Sequence, residues 1–193
     1  MRGRIGLVLL AVTGLLLLGA CATGKGAEGG TEIDPNLEER ARYGNLSTEN
    51  LEVRLADLNG DNRPDQWTYR DEEGEIVRVE RDLNFNGQID IWQYFNASGE
   101  LVEEEMDLDL DGVVDVVAYY SNGVLTRKEM AVGFDGTFPI TKYYDNQGRL
   151  LRVERDSSGD GRADIWEYYE GGDRVRIGWD TTGDGQADTF DQM

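Results

Sequence analysis

Asp57, Asn59, Asp61 and Asp65 place side-chain oxygens at positions 1, 3, 5 and 9 of a short stretch, and the arrangement recurs along the chain. The same positions carry Asp82, Asn84, Asn86 and Asp90, and then Asp107, Asp109, Asp111 and Asp115. Two later copies carry Asp156, Ser158, Asp160 and Asp164, and Asp180, Thr182, Asp184 and Asp188. Between them residues 131–139 keep only Asp135. Hard oxygens two residues apart, with glycine at position 6 in most copies so that the backbone can turn sharply, suit a hard cation of flexible geometry. Calcium takes six to eight such ligands, and four side chains, the position-7 carbonyl and two waters supply roughly seven. Loop 3 is the richest, with four carboxylates; loops 1, 5 and 6 have three, and loop 2 has two. Asp, Asn and Gly also favour plain turns, and Asp135-Gly136 keeps such a turn without the other ligands. A plain turn, however, does not call for like charges two residues apart, which repel unless neutralised. Calcium in at least one loop is therefore the expectation, with turns alone as the alternative.

The pattern matches the first part of an EF-hand loop. The bidentate glutamate of position 12 is missing, since Thr68, Gln93, Ala118 and Glu167 stand there in loops 1, 2, 3 and 5. No flanking EF-hand helices are expected either. The loops resemble instead the calcium loops between strands of integrin-type FG-GAP repeats, and those of thrombospondin type 3 and dockerin modules.

First positions fall at residues 57, 82, 107, 131, 156 and 180, a repeat of 24 or 25 residues,. After each loop comes a period-two run, with Trp67 and Tyr69, Trp92 and Tyr94, Val117 and Tyr119, Thr141 and Tyr143, or Trp166 and Tyr168, and finally Phe190. Such alternation predicts strands. A turn at Gly74, Gly99, Gly123, Gly148 or Gly171-Gly172 follows, and a second strand returns to the next loop. With a strand before the first loop and one after the last, about 12 strands are expected. Connections this short make neighbours antiparallel. The predicted fold is all-β, an antiparallel meander of repeated hairpins with every acidic loop on one edge. So many strands could stay open, curl, split or close.

Tyr143-Tyr144-Asp145-Asn146-Gln147-Gly148-Arg149-Leu150 is similar to the YD repeat of bacterial Rhs-type surface proteins, and the hairpins resemble MORN-like arrays. The resemblance implies an extended β scaffold. Trp67, Trp92 and Trp166 should form a ladder with the tyrosines on one face, packing neighbouring hairpins or offering a platform for a polysaccharide or peptide. Arg78, Arg152 and Arg176 are expected in solvated pairs with acids, and Glu103-Glu104-Glu105 as a solvated run.

The 193 residues hold 19 Lys+Arg against 39 Asp+Glu, a net charge of −20. A nucleic-acid backbone would be repelled. With no histidine the chain cannot build a Ser-His-Asp triad or an imidazole-ligated zinc site,. Catalysis by a carboxylate pair needs one carboxyl in a distinct environment, which repetition does not provide, so no enzyme is expected. Arg2 and Arg4 precede an apolar run over residues 5–18, too short to span a bilayer as a helix,. Leu18-Gly19-Ala20-Cys21 resembles a bacterial lipobox. That implies a signal peptide over residues 1–20 and lipidation of Cys21, and Ala22, rather than Asp, after the cysteine implies the outer membrane where the cell is Gram-negative. Residues 21–50 are then the lipidated cysteine, a Gly-rich tether and a possible short helix from Asp34-Pro35, and 51–193 the repeat domain. The sequence thus points to a lipid-anchored, calcium-stabilised scaffold, adhesin or assembly partner with a protein or polysaccharide partner at the cell surface or periplasmic face. The alternative is a calcium-independent polysaccharide- or peptide-binding module using the aromatic face.

Overall fold

The structure, a computed structural model, describes residues 50–133 and 137–193. The export signal, Cys21, the tether and the short helix lie outside the described residues, as do Asp135 and Gly136. The strands are β1 (Glu52–Ala56), β2 (Gln66–Arg70), β3 (Ile76–Arg81), β4 (Ile91–Phe95), β5 (Leu101–Met106) and β6 (Val116–Ser121). They continue as β7 (Val124–Met130), β8 (Ile140–Tyr144), β9 (Leu150–Arg155), β10 (Ile165–Glu170), β11 (Asp173–Trp179) and β12 (Thr189–Gln192). All twelve pair in chain order in one sheet. The all-β antiparallel meander expected from the repeat is the fold observed, and it stays open, with β1 and β12 at its margins. The six loops between odd and even strands line one edge, and the five glycine turns line the other.

Each glycine turn is followed by a regular flaw in the pairing. Gly74 donates its N–H to the Asp71 carbonyl at 3.0 Å, and Asp71 donates to Glu75 at 3.0 Å; Asn96, Gly99 and Glu100 repeat this, as do Asp145, Gly148 and Arg149. A type I turn closed by a left-handed residue makes a hairpin with a bulge. The register slips once in every hairpin, between Tyr69 and Arg70, Tyr94 and Phe95, Tyr119 and Tyr120, Tyr143 and Tyr144, and Tyr168 and Tyr169; the slip lies inward of the turn and recurs where the turn is instead Asn122-Gly123 or Gly171-Gly172, with both residues left-handed.

Among the described strands, only sequence neighbours make extensive contact, so side chains are covered chiefly by rows running across the sheet. One row reads Leu55, Trp67, Glu80, Trp92, Glu105, Val117, Glu129, Thr141, Glu154, Trp166, Gly178, Phe190. The tryptophans share a face with the tyrosines, as expected, but glutamates separate them. The second row on that face reads Val53, Tyr69, Arg78, Tyr94, Glu103, Tyr119, Arg127, Tyr143, Arg152, Tyr168, Arg176, Gln192.

The arginines of this row are not the solvated pairs expected from sequence. Arg78 lies 5.6 Å from the Tyr69 ring and 5.3 Å from that of Tyr94; Arg127 is 3.9 Å from Tyr119, Arg152 4.4 Å from Tyr143 and Arg176 4.2 Å from Tyr168. Guanidinium is weakly hydrated and stacks on phenol faces, so this row buries it at lower cost than an ammonium. Each of the first three also pairs with the glutamate two residues on: Arg78 with Glu80, Arg127 with Glu129 at 3.5 Å and Arg152 with Glu154 at 3.0 Å. The Tyr69 and Tyr143 hydroxyls donate to Glu80 and Glu154 at 2.7 and 3.0 Å. Glu103 is likewise buried rather than solvated, because it occupies the row position that arginine fills elsewhere. Glu104, on the other face, accepts from Gln93 at 2.7 Å and from Tyr120 at 3.3 Å.

Burial, reinforced by nearby glutamates, pushes the Tyr69, Tyr94 and Tyr143 phenols up to about 12. A phenol harder to ionise folded than unfolded contributes stability below its ordinary pKa of 10.0 and loses it as pH rises through the folded value. Stability should therefore fall between pH 10 and about 12 together with late tyrosinate absorbance; complete ionisation near the ordinary value in a folded chain would contradict this burial. Arg127, with only 2% of its side chain exposed, sets a second expectation. Arg127→Leu should lower unfolding free energy by about 2–3 kcal/mol, against about 1 kcal/mol for Arg152→Leu, measured by denaturant melts.

Candidate metal centre

The backbone of the acidic loops doubles back twice. Position 4 takes a left-handed conformation in Gly60, Phe85, Leu110, Gly159 and Gly183, with φ of 82, 62, 67, 79 and 77°, and position 6 does so in Asn62, Gly87, Gly112, Gly161 and Gly185. The position-6 turn is legible in the sequence as a recurring glycine. Position 4 is not, because Phe85 and Leu110 hide a pattern that Gly60, Gly159 and Gly183 carry openly.

These turns aim amides at the carboxylates. The position-1 aspartates Asp57, Asp82, Asp107, Asp156 and Asp180 accept through Oδ2 from the position-6 N–H at 2.6–2.9 Å. Their Oδ1 accepts from position 4 or 5, for example Leu110 N at 2.7 Å. The position-9 aspartates Asp65, Asp90, Asp115, Asp164 and Asp188 accept from the position-2 N–H at 2.6–2.7 Å and from position 3 as well. At position 3, Asn59, Asn84 and Asp109 accept from the position-5 N–H, while Ser158 and Thr182 donate weakly to Asp156 and Asp180 at 3.3 Å. At position 5, Asp61, Asn86, Asp111, Asp160 and Asp184 each accept from the N–H two residues on. Backbone bonds also stitch successive loops together: Asp82 N to Asp65 O at 2.9 Å, and Asp107 N to Asp90 O and Asp180 N to Asp164 O at 2.8 Å.

Loop 3, the richest in carboxylates, converges most. Asp107, Asp109 and Asp115 each offer an oxygen, and these oxygens lie within 4.8 Å of one another. Two ligands of one calcium ion at 2.3–2.6 Å are at most about 5 Å apart, so this donor set fits a divalent cation. Asp107 and Asp115 are buried and Asp109 is exposed at the mouth. Carboxylate oxygens carry more than one lone pair, so those already bound to amides keep acceptor capacity. Asp111 is outside the group. Among the described residues no other set of three carboxylates meets this way. In loop 5, Asp160 is already paired with Arg162 at 2.8 Å. Glu167 is held by Arg155, Tyr169 and Arg174 instead of turning to a loop.

Protonation follows the same geometry. Asp57 is held below the usual carboxylate range by the amides of Asn62 and Gly60, Asp160 by the Arg162 side chain, and Asp164 and Asp188 by Ser157 and Thr181. Asp109 is raised, first by local desolvation and then by the charges of Asp111, Asp115 and Asp107, against the opposing amide of Asp111. On this carboxylate desolvation and neighbouring charge together outweigh the backbone.

The chain matches no protein-family model and no curated protein. Its shape overlaps parts of several solved structures. One is the crystal structure of accessory secretory protein 1, 2 and 3 in Streptococcus pneumoniae, with TM-score 0.41 and 17% identity, covering 56% of this chain and 19% of that one. Another is a mutant of S. aureus TarM in complex with fondaparinux, α-GlcNAc-glycerol and UDP, with TM-score 0.31 and 9% identity, covering 72% and 23%. A third is the GtfA/B complex bound to UDP and GlcNAc, with TM-score 0.30 and 14% identity, covering 71% and 26%. The chain spans a quarter or less of the first two structures and about a quarter of the third, and likeness at this level carries neither fold nor activity across.

Two substitutions separate the loop's own strain from its ligand chemistry. Asp109→Asn should raise the melting temperature of the cation-free chain by relieving repulsion, yet reduce the gain produced by calcium; a lower cation-free melt would contradict the crowding. Gly112, at φ 93° with open space where a Cβ would stand, should lose about 1–2 kcal/mol as Gly112→Ala from backbone conformation alone.

Proposed function

We propose that this chain is a lipid-anchored, calcium-stabilised β-repeat protein of the bacterial outer membrane, serving as a scaffold, adhesin or assembly partner at the cell surface or periplasmic face. The observation that carries the ion chemistry is the meeting of Asp107, Asp109 and Asp115 in the loop with the most carboxylates. Calcium there would cancel repulsion along the acidic edge and fix the angle between hairpins. The likeness to FG-GAP, thrombospondin type 3 and dockerin loops points the same way. The anchor rests on Leu18-Gly19-Ala20-Cys21, and a diacylglyceryl cysteine supplies the two chains that stable attachment needs. The partner is a protein or polysaccharide, since net charge of −20 disfavours nucleic acid.

A platform on the aromatic face is the second reading, and it has less to work with. Arginines already occupy the tyrosine faces, and Trp166 is 8% exposed. Trp67 and Trp92 are partly exposed and are the rings such a ligand would use.

Chelation should lower the melting temperature of the full chain, and millimolar calcium, the range of extracellular modules at about 10⁻⁴–10⁻³ M, should restore it. An unchanged melt would remove calcium from the account. Cys21→Ser should move the protein from the membrane fraction to the soluble one; retention would remove the lipid anchor.

A further inference from the structure

We infer that the two margins of the sheet are complementary, so that β12 of one copy takes β1 of the next and copies of this chain join head to tail. Among the described residues nothing pairs with the outer side of either strand. Exposed margins are commonly blunted by lysine, proline or a bulge. Neither strand has Lys or Pro, and neither register is shifted.

Odd strands run into an acidic loop and even strands run out of one. β1 of a second copy set beside β12 is therefore the strand type the alternation calls for, antiparallel to its neighbour. Continuing the rows puts Phe190 opposite Leu55, Gln192 opposite Val53 and Asp191 opposite Arg54. Phe190 and Leu55 are 46% and 60% exposed and would cover one another on the tryptophan face. Asp191 and Arg54 bring opposite charges together on the other face, a favourable cross-strand pair; at the open margin Arg54 makes only an exposed pair with Glu52 at 2.9 Å.

The hydrogen-bonding phase agrees as well. Met193 N donates to Val175 O at 3.0 Å, which by alternation turns Asp191 toward β11 and leaves the N–H and C=O of Phe190 and Gln192 at the margin. At the other end Asp71 N donates to Glu75 O, which turns Tyr69 and Trp67 toward β3. Their partners Val53 and Leu55 thus direct their own backbone groups outward. Phe190 and Leu55 become a hydrogen-bonded pair, and Asp191 and Arg54 a non-hydrogen-bonded one. The interface is heterologous and does not close, so it generates a linear array. Every acidic loop then stays on one edge, and every chain enters β1 from the other. Pairing β1 with β1, or β12 with β12, would turn the acidic edges to opposite sides.

The test uses the full chain with Cys21→Ser, so that an introduced cysteine is the sole one. Arg54→Cys and Asp191→Cys are oxidised separately and mixed, at physiological salt with and without calcium. In the array the two positions lie about 4.5 Å apart, within disulfide reach. Dimers that form only in the mixture, under either ionic condition, support head-to-tail joining. Equal dimers from either variant alone, or none in the mixture under both conditions, overturn it. Both side chains stand at the sheet margin, and circular dichroism checks that each variant folds. Sedimentation gives the second readout: Arg54→Asp and Asp191→Arg should each weaken association several-fold and together restore it, whereas a double variant as weak as the singles overturns the pairing. Assembly without calcium leaves this inference standing even if the ion chemistry fails.

Discussion

Each side chain of this sheet has as its main company what the adjoining strands bring to the same row. That constraint explains the regularity of the chain. A shift of one residue would move a strand's whole set of side chains to the other face, so repeats of 24 or 25 residues keep Tyr69, Tyr94, Tyr119, Tyr143 and Tyr168 in one row beside positions for arginine, and tryptophan beside glutamate. Phenol, guanidinium and carboxylate then meet in Tyr69, Arg78 and Glu80, and again in Tyr143, Arg152 and Glu154. Polar groups act as core here. Gly178 breaks the glutamate series because the Phe190 ring would meet a Cβ there at 2.7 Å.

The same repetition creates the charge problem on one edge. A meander that keeps loops in register must stack their carboxylates as well, and backbone amides are the first remedy. They suffice for Asp57, whose carboxyl stays easily ionised, and fall short for Asp109, which does not. Position in the sheet sharpens the difference. Loops 2 and 3 bury both position-1 and position-9 aspartates, whereas Asp57 and Asp188 at the two ends are exposed. Loop 1 buries Asp65 alone and loop 5 buries neither end, so loops 2 and 3 are the ones where a divalent cation meets two carboxylates under low solvent screening.

Architecture was legible in the sequence because spacing alone dictates it. Short connections force antiparallel neighbours, and even spacing forces all acidic loops to one edge. Loop 3 could be ranked first by counting carboxylates, and there the aspartates meet. The role of arginine was not legible. Arg78 faces Tyr69 and Tyr94 only because the bulge after each tyrosine sets the register, and no single strand records where a bulge falls. Asp111 is equivalent to Asp109 in the pattern, but only Asp109 meets Asp107 and Asp115, a convergence set by the loop's three-dimensional path that pattern matching does not see. Arg162 beside Asp160 was visible, yet the loop pattern gave it no part.

Calorimetric titration of calcium into the metal-free full chain, with circular dichroism followed in parallel, tests the central claim most directly. Saturable calcium uptake, accompanied by gain of β signal and weakened by Asp115→Asn, is the predicted result. No heat and no spectral change at millimolar calcium would contradict it and leave the acidic loops as turns held by their own amides.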